Sequence, residues 1–192
     1  MATQSLRGIR VEGNIAHVPL TKGYETIIDA ADVPLIERWR WKAGESQSPQ
    51  LVYACRSVRD GKASREQSLH RLLMGNPAGL LVDHINGNTL DNRRANLRLA
   101  TKAQNQTNTR MRSNNKSGYR GVHWRSDSQK WCSQIRANGK VRTLGSFTTV
   151  EAAAEAYRKA AAECHGDFSP LFSRPEFLTL SPTSRGYHAD QP

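Results

Sequence analysis

The sequence is poor in what a metal ribbon, a membrane span or a single large core would require. Its three cysteines, Cys55, Cys132 and Cys164, lie far apart and form no Cys-x-x-Cys pair, which argues against a zinc finger or ribbon. An odd number of thiols in a cytosolic chain reads as reduced, mostly buried side chains. No apolar run approaches the roughly 20 residues that a spanning helix needs, and no basic amphipathic segment stands out. The opening residues, MATQSLRGIRVEG, carry no apolar stretch of the kind a secretory signal has, so the expected location is the cytoplasm. Hydrophobic residues fill 37% of the 192 positions, which suits several small cores better than one large one. Acid is scarce as well: 17 Asp and Glu stand against 28 Lys and Arg, a formal charge of +11. Such a balance on a short chain calls for a polyanionic partner. An anionic membrane and nucleic acid both qualify, and the missing membrane signals favour nucleic acid.

The chain divides by pattern into three parts and a tail. Residues 1–74 form a β-rich N-terminal region. Here IRVEGNIAHVPL, LVYACRSV and QSLHRLLM alternate apolar and polar residues and read as short strands of a small antiparallel sheet. Between them DVPLIERWRW reads as one short helix, with Asp32 as N-cap and Pro34 in its first turn. Residues 75–109 hold a polar motif, and 110–117 form a basic linker able to lie against phosphates. Residues 118–172 carry three strand signals, with turns at Asp127-Ser128 and Asn138-Gly139. An alanine-rich helix follows, opened by Thr148 with Glu151 as a capping box and stopped by Gly166. Residues 173–192 are rich in Pro and Ser and have the composition of a disordered tail. The expected fold class is α+β, made of small antiparallel sheets and few helices.

From Leu81 to Thr101 the chain runs LVDHINGNTLDNRRANLRLAT, with an Asp-His pair, four asparagines and three arginines. Gly79 to His84 reads as the end of a strand with the polar pair at its tip. Ile85 to Ala95 is a loop in which Asn86-Gly87-Asn88 and Asp91-Asn92 are turn residues. Asn96 to Ala100 alternates as a second strand, and Thr101 caps a short helix, KAQNQTN. Asp83 offers hard oxygen ligands and Asn105, in that helix's first turn, an amide oxygen. Together they suit one divalent cation, Mg²⁺ or Mn²⁺, whose other positions are left to phosphate and water. His84, beside Asp83, belongs to the residue type whose ordinary pKa suits a general base near neutrality. Asn96 can pin the loop or orient the histidine ring. Arg93, Arg94 and Arg98 read equally well as a phosphate clamp and as a solvated face. His70 is expected as a packed strand histidine, and His17, His165 and His188 as structural or exposed.

VDHINGN, LDNRRANLRLAT and QN, in this order, resemble the HNH nucleases, whose core is a ββα-metal fold, and most of all the phage and intron homing endonucleases. The three family positions fall on His84, Asn96 and Asn105, spaced 12 and 9 apart. The third is Asn instead of the name-giving His, a variant that resembles the homing branch, where Asp and Asn hold the metal. LHRLLMG with His70 also resembles the strand that precedes the motif in such proteins. The resemblance implies hydrolysis of a phosphodiester to a 5′-phosphate and a 3′-hydroxyl.

Between Lys116 and Arg142 there are seven cations and one acid, Asp127. On regular strands Gly121, His123 and Arg125 share one face, opposite Arg120, Val122 and Trp124; Gln134 and Arg136 share a face opposite Ile135. Arg and Gln can bond guanine and adenine edges, while other cations grip phosphate. YRGVHWR, W-x3-IR, LGSF-T-x2-EAA-x2-AY and AA-x3-HGDFSPLF make this stretch similar to the plant AP2/ERF DNA-binding domain, whose three-stranded sheet enters the major groove. Carried over, the DNA-reading residues are Arg120, His123, Arg125, Gln134 and Arg136, with Arg142 near the third strand. His123 and Gln134 stand where plant members usually have Arg and Glu, so the plant target sequence does not carry over.

The reading is a site-selective, metal-dependent endonuclease that nicks double-stranded DNA as a monomer. It has no small-molecule cofactor and belongs to a mobile phage or intron element. Its rival is a DNA-binding regulator in which the nuclease fold is a silent scaffold.

Overall fold

The computed structural model describes residues 8–45, 51–61, 63–108, 114–137 and 139–169. The chain forms two compact units, 1–105 and 106–192. The tail from 173 and residues 110–113 of the linker lie outside the described residues.

In the first unit, β1 (Arg10–Glu12), β2 (Ile15–Pro19) and β3 (Glu25–Asp29) form an antiparallel sheet in that order. Period-two alternation decides its faces: Ala16, Val18, Thr26 and Ile28 point into the core, while His17 and Glu25 meet outside at 2.6 Å. β4 (Lys42–Glu45), β5 (Val52–Asp60) and β6 (Ala63–Ser68) form a second antiparallel sheet. The alternating N-terminal segments thus make two sheets, not one. α1 is a single turn, Val33–Ile36, shorter than DVPLIERWRW suggested. Asp32 precedes it but makes no side-chain cap bond; its carboxylate is taken by Arg94 instead, at 2.8–3.1 Å.

QSLHRLLM does not continue as a strand. β6 ends at Ser68, and Leu69–Leu73 is a short helix, α2, with Leu69, His70 and Leu73 buried. Leu69 and Leu73 lie four apart on one helical face. A segment as short as LHRLL reads as strand or helix by pattern alone, and packing settles it. β7 (Leu81–His84) and β8 (Leu97–Ala100) then pair antiparallel, and α3 (Lys102–Thr107) follows at once. The α3 start is a reciprocal cap. Thr101 N–H donates to Gln104 Oε1 at 2.8 Å, and Gln104 N–H donates to Thr101 Oγ1 at 3.3 Å. Ile9, Val18, Ile28, Ile36, Leu69, Val82 and Leu97 belong to a single apolar cluster. The N-terminal sheets and the β7–β8 hairpin therefore fold around one core.

In the second unit, β9 (Val122–Arg125), β10 (Lys130–Ala137) and β11 (Lys140–Phe147) form an antiparallel sheet with β10 central. α4 (Val150–His165) covers one face through Ala153, Ala154, Tyr157, Ala160 and Ala161. Its N-cap is Thr149, whose hydroxyl accepts from Ala152 N–H; the cap therefore sits one residue after the Thr148 that the capping-box pattern selected. Gly166 ends the helix with φ +48. Gly139 supplies the left-handed turn between β10 and β11, with φ +76; Asn138 lies outside the described residues. Gly121 has φ +70, and a Cβ there would collide with the Tyr157 ring and with the carbonyl oxygen of Gln134. Only glycine lets β9 enter this close to α4.

Among the described residues no helix is long and apolar enough to cross a membrane. Cys55 and Cys132 are buried thiols and Cys164 is an exposed one.

Candidate functional site

The loop between β7 and β8 is built by its asparagines. Asn86 Oδ1 accepts from Asn88 N–H at 2.8 Å, and Asn88 Oδ1 accepts from Leu90 N–H at 3.1 Å, two successive side-chain turns. Asn96 closes the loop from its far end: its Nδ2 donates to Asp91 O at 2.7 Å, and its Oδ1 accepts from Asn86 N–H at 2.9 Å. Of the two tasks open to Asn96, the geometry gives it the pinning of the loop.

β3 supports this loop from a distant part of the chain. Ile27 N–H donates to Leu90 O at 3.0 Å and Asn92 N–H to Ile27 O at 2.8 Å, a short parallel bridge between Ile27 and Asp91. Thr89 Oγ1 donates to Val52 O at 2.6 Å. The loop is thus tied to both N-terminal sheets.

The histidine ring is oriented by Asn92. Thr26 Oγ1 donates to Leu90 O at 2.7 Å, so it accepts from Asn92 Nδ2, also at 2.7 Å. That fixes the amide: Asn92 Oδ1 faces His84 and accepts from Nε2 at 3.1 Å. With the proton on Nε2, the basic nitrogen of neutral His84 is Nδ1. His84 is 5% exposed and Asn92 0%. Burial pushes the His84 pKa down against the pull of Asn92, Asp83 and Asp91, so the ring is neutral at pH 7, the state a base requires.

His84 packs beside two further rings. His70 lies edge-on at 5.1 Å between centroids, and Tyr53 of β5 is 6.3 Å away. Burial, then His84 and Arg71, push the His70 pKa down to about 3. Burial, then Asp83, push the Tyr53 phenol up. Asp83 is 7% exposed, and opposite it on β8 Arg98 donates from Nε to Oδ2 at 2.9 Å and places Nη2 2.8 Å from the same oxygen. The other loop arginines are bound as well, Arg93 to Asp91 and Arg94 to Asp32. All three therefore neutralise buried carboxylates; Arg93 and Arg94 keep 38% and 48% of their side chains exposed, and Arg98 13%. Around Asp91, burial raises the carboxyl but Arg93 and Asn86 outweigh it, and its pKa falls.

Asp83, His84 and Asn96 thus meet at one end of the β7–β8 hairpin. Asn105 stands half-buried in α3, its N–H bonded to Thr101 O at 2.9 Å. The donors proposed for a metal are hard oxygens, a carboxylate and an amide, which fit a Mg²⁺-like ion that keeps phosphate and water ligands. Among the described residues no three His, Cys, Asp or Glu side chains gather as a closed metal centre.

The second unit separates its predicted DNA contacts. His123, Arg125, Gln134 and Arg136 are exposed on the sheet face away from α4. Arg142 instead pairs with Ile135, a core residue, and its Nη2 lies 3.6 Å from Cys164 Sγ on α4. Arg120 precedes β9 and is half-buried; burial lowers its pKa and Tyr157 of α4 raises it. The placement of Arg142 follows from a register break at Ser133–Gln134 in the β10–β11 pairing, which sequence alternation does not reveal.

Residues 74–107 match the HNH endonuclease family. Protein 3.8 of Escherichia phage T7 is 36% identical over 93 residues, 48% of this chain and 76% of that protein. An uncharacterized HNH endonuclease, L560, of Acanthamoeba polyphaga mimivirus is 29% identical over 150 residues, 77% of this chain and 74% of that protein. No solved structure matches. Residues 74–107 are an HNH endonuclease domain, and the chain belongs to one family with the phage protein.

Proposed function

We propose that the chain is a metal-dependent endonuclease that nicks double-stranded DNA, with His84 as general base. The observation that carries this reading is the Thr26–Asn92–His84 relay, which holds a buried neutral imidazole in one tautomer beside Asp83. Nδ1 of His84 takes the proton of the attacking water. Asn96 keeps the loop closed around the ring, and Arg98 holds the Asp83 carboxylate at the strand end. Asp83 and Asn105 would hold one Mg²⁺ or Mn²⁺, which when bound stabilises charge on the phosphate and the leaving oxygen. The products are a 5′-phosphate and a 3′-hydroxyl, and one nuclease element in a monomer cuts one strand.

In this reading residues 118–172 act as an AP2/ERF-like DNA-binding domain, joined to the nuclease element of 75–109 by the basic linker. His123, Arg125, Gln134 and Arg136 face the duplex, and Arg120 and Arg142 flank them from the helix side. The setting is a mobile phage or intron element acting in the host cytoplasm.

The ion pair that Arg98 makes with Asp83 favours the second reading, a DNA-binding regulator with a silent nuclease fold. Supercoiled plasmid separates the two. The nuclease converts it to open circles with Mg²⁺ or Mn²⁺ and stops when EDTA is added; the regulator leaves it supercoiled while still binding.

A further inference from the structure

Six cations of the first unit pair with carboxylates among the described residues. Arg10 and Lys22 meet Glu25 and Glu45, Lys42 meets Glu66, and the three loop arginines meet buried aspartates. Of the cations that do not, three lie close together, Arg38 and Arg65 near enough to lower the Arg56 pKa. Among the described residues Arg38, Arg56 and Arg65 make no ion pair. Arg56 Nε and Nη2 both donate to the neutral amide oxygen of Gln67, at 2.9 and 2.7 Å.

The strand register explains why charge is concentrated here. Gln67 lies opposite Arg56, and Arg65 lies opposite Val58, two residues further along β5. All of them therefore share the face that begins with the core residues Ala43 and Ala54. Where the β5–β6 hairpin outruns the core, apolar positions are replaced by guanidiniums. Arg56 stacks on Trp39 with its guanidinium carbon 3.5 Å from the ring centroid, and Arg38 lies 4.5 Å from the same centroid. Burial, then Arg38 and Arg65, lower the Arg56 pKa. Beside them runs a groove of about 870 Å³, floored by Val18 and Leu20 and walled by Trp39, Arg40, Trp41 and Arg56.

Two guanidiniums against one indole, with Arg65 nearby and a neutral amide as the bonded partner of Arg56, are costly in the free protein. The cost is relieved by an anion that offers several acceptor oxygens to planar guanidiniums. We propose that Arg38, Arg56 and Arg65 form a binding site for a backbone phosphate of duplex DNA, with Trp39 holding the guanidiniums in place. This rests on the nuclease reading only for the identity of the polyanion. It assigns substrate grip to the N-terminal region, on the strand whose Tyr53 packs near His84.

The test measures binding of full-length His84→Ala protein to random-sequence duplex DNA over a salt series. Adding Arg38→Gln and Arg65→Gln, two exposed changes, should make the log–log salt slope shallower by about 0.9 for each phosphate that is no longer neutralised. Arg56→Gln should do the same, with its fold checked by circular dichroism. An unchanged slope in the exposed double variant overturns the site whether or not Arg56→Gln folds. Plasmid nicking by the otherwise wild-type chain is measured in parallel. If it does not nick but the slopes shift, the nuclease reading falls and the phosphate site stands. If it nicks and the slopes do not move, the phosphate site alone falls.

Discussion

Asp83 and Arg98 face each other across β7 and β8, and two guanidinium nitrogens of Arg98 lie 2.9 and 2.8 Å from a single oxygen, Oδ2, of the carboxylate. Both side chains are largely out of water, at 8% and 13% exposure. Removing one member of such a pair strands the other. Arg98→Ala should therefore destabilise the first unit by about 3–5 kcal/mol, read from urea unfolding. A loss below about 1 kcal/mol would mean that water already screens the pair.

Asn92 sets the tautomer of His84 through Thr26. Asn92→Asp places a negative charge against Nε2, favours the imidazolium and moves the acid limb of the nicking rate to higher pH. A residue with a merely structural role would lower the rate without moving that limb. Superimposable pH profiles for wild type and variant would remove Asn92 as the orienting group.

His70 supplies a pH dependence of stability. Its folded pKa is about 3 against an ordinary 6.5. Above 6.5 neither state is protonated and the fold keeps its full stability. As pH falls from 6.5 toward 3 the unfolded chain takes up a proton that the buried ring refuses, so stability drops by up to roughly 5 kcal/mol. His84, also lowered, adds in the same direction. His70→Asn should flatten this slope in chemical denaturation between pH 7 and pH 4. An unchanged slope would show that water reaches the His70 ring.

In the second unit Gly121→Ala sets a Cβ against Tyr157 and Gln134, at a φ that L-residues rarely adopt. Hydrogen exchange on the full chain should show β10 and α4 losing protection while β7 and β8 keep theirs. On the sheet, Arg136→Ala should weaken duplex binding and make its salt slope shallower by about 1. Arg142→Ala, on the helix side beside Cys164, should change the slope less. Equal effects would mean that both arginines meet DNA.

The motif was legible because its chemistry is local in sequence. Asp83-His84, the asparagine turns, Asn96 and the Thr101 cap lie within one short stretch, and the HNH resemblance holds over residues 74–107. What supports the motif was not legible. Thr26 meets Asn92 across 66 residues, Thr89 meets Val52 across 37, and Arg94 meets Asp32 across 62. Nothing in the pattern marks Asn92 as different from the turn asparagines beside it. The helix at His70 and the pairing of Arg93 and Arg94 with buried carboxylates likewise follow from packing, which overrides local alternation. In the second unit the strands, the Asp127 turn and the alanine helix followed from propensity. The helix cap was placed one residue early, and the register break that puts Arg142 on the far face leaves no trace in composition.

The central claim is that His84 accepts the proton of the attacking water. Single-turnover nicking of plasmid by excess protein, with DNA binding measured on the same samples, tests it most directly. The expected result is a His84→Ala rate roughly 10²–10⁴-fold below wild type at unchanged DNA affinity, with Asp83→Ala also silent. A His84→Ala protein that nicks at the wild-type rate would contradict the assignment of the base.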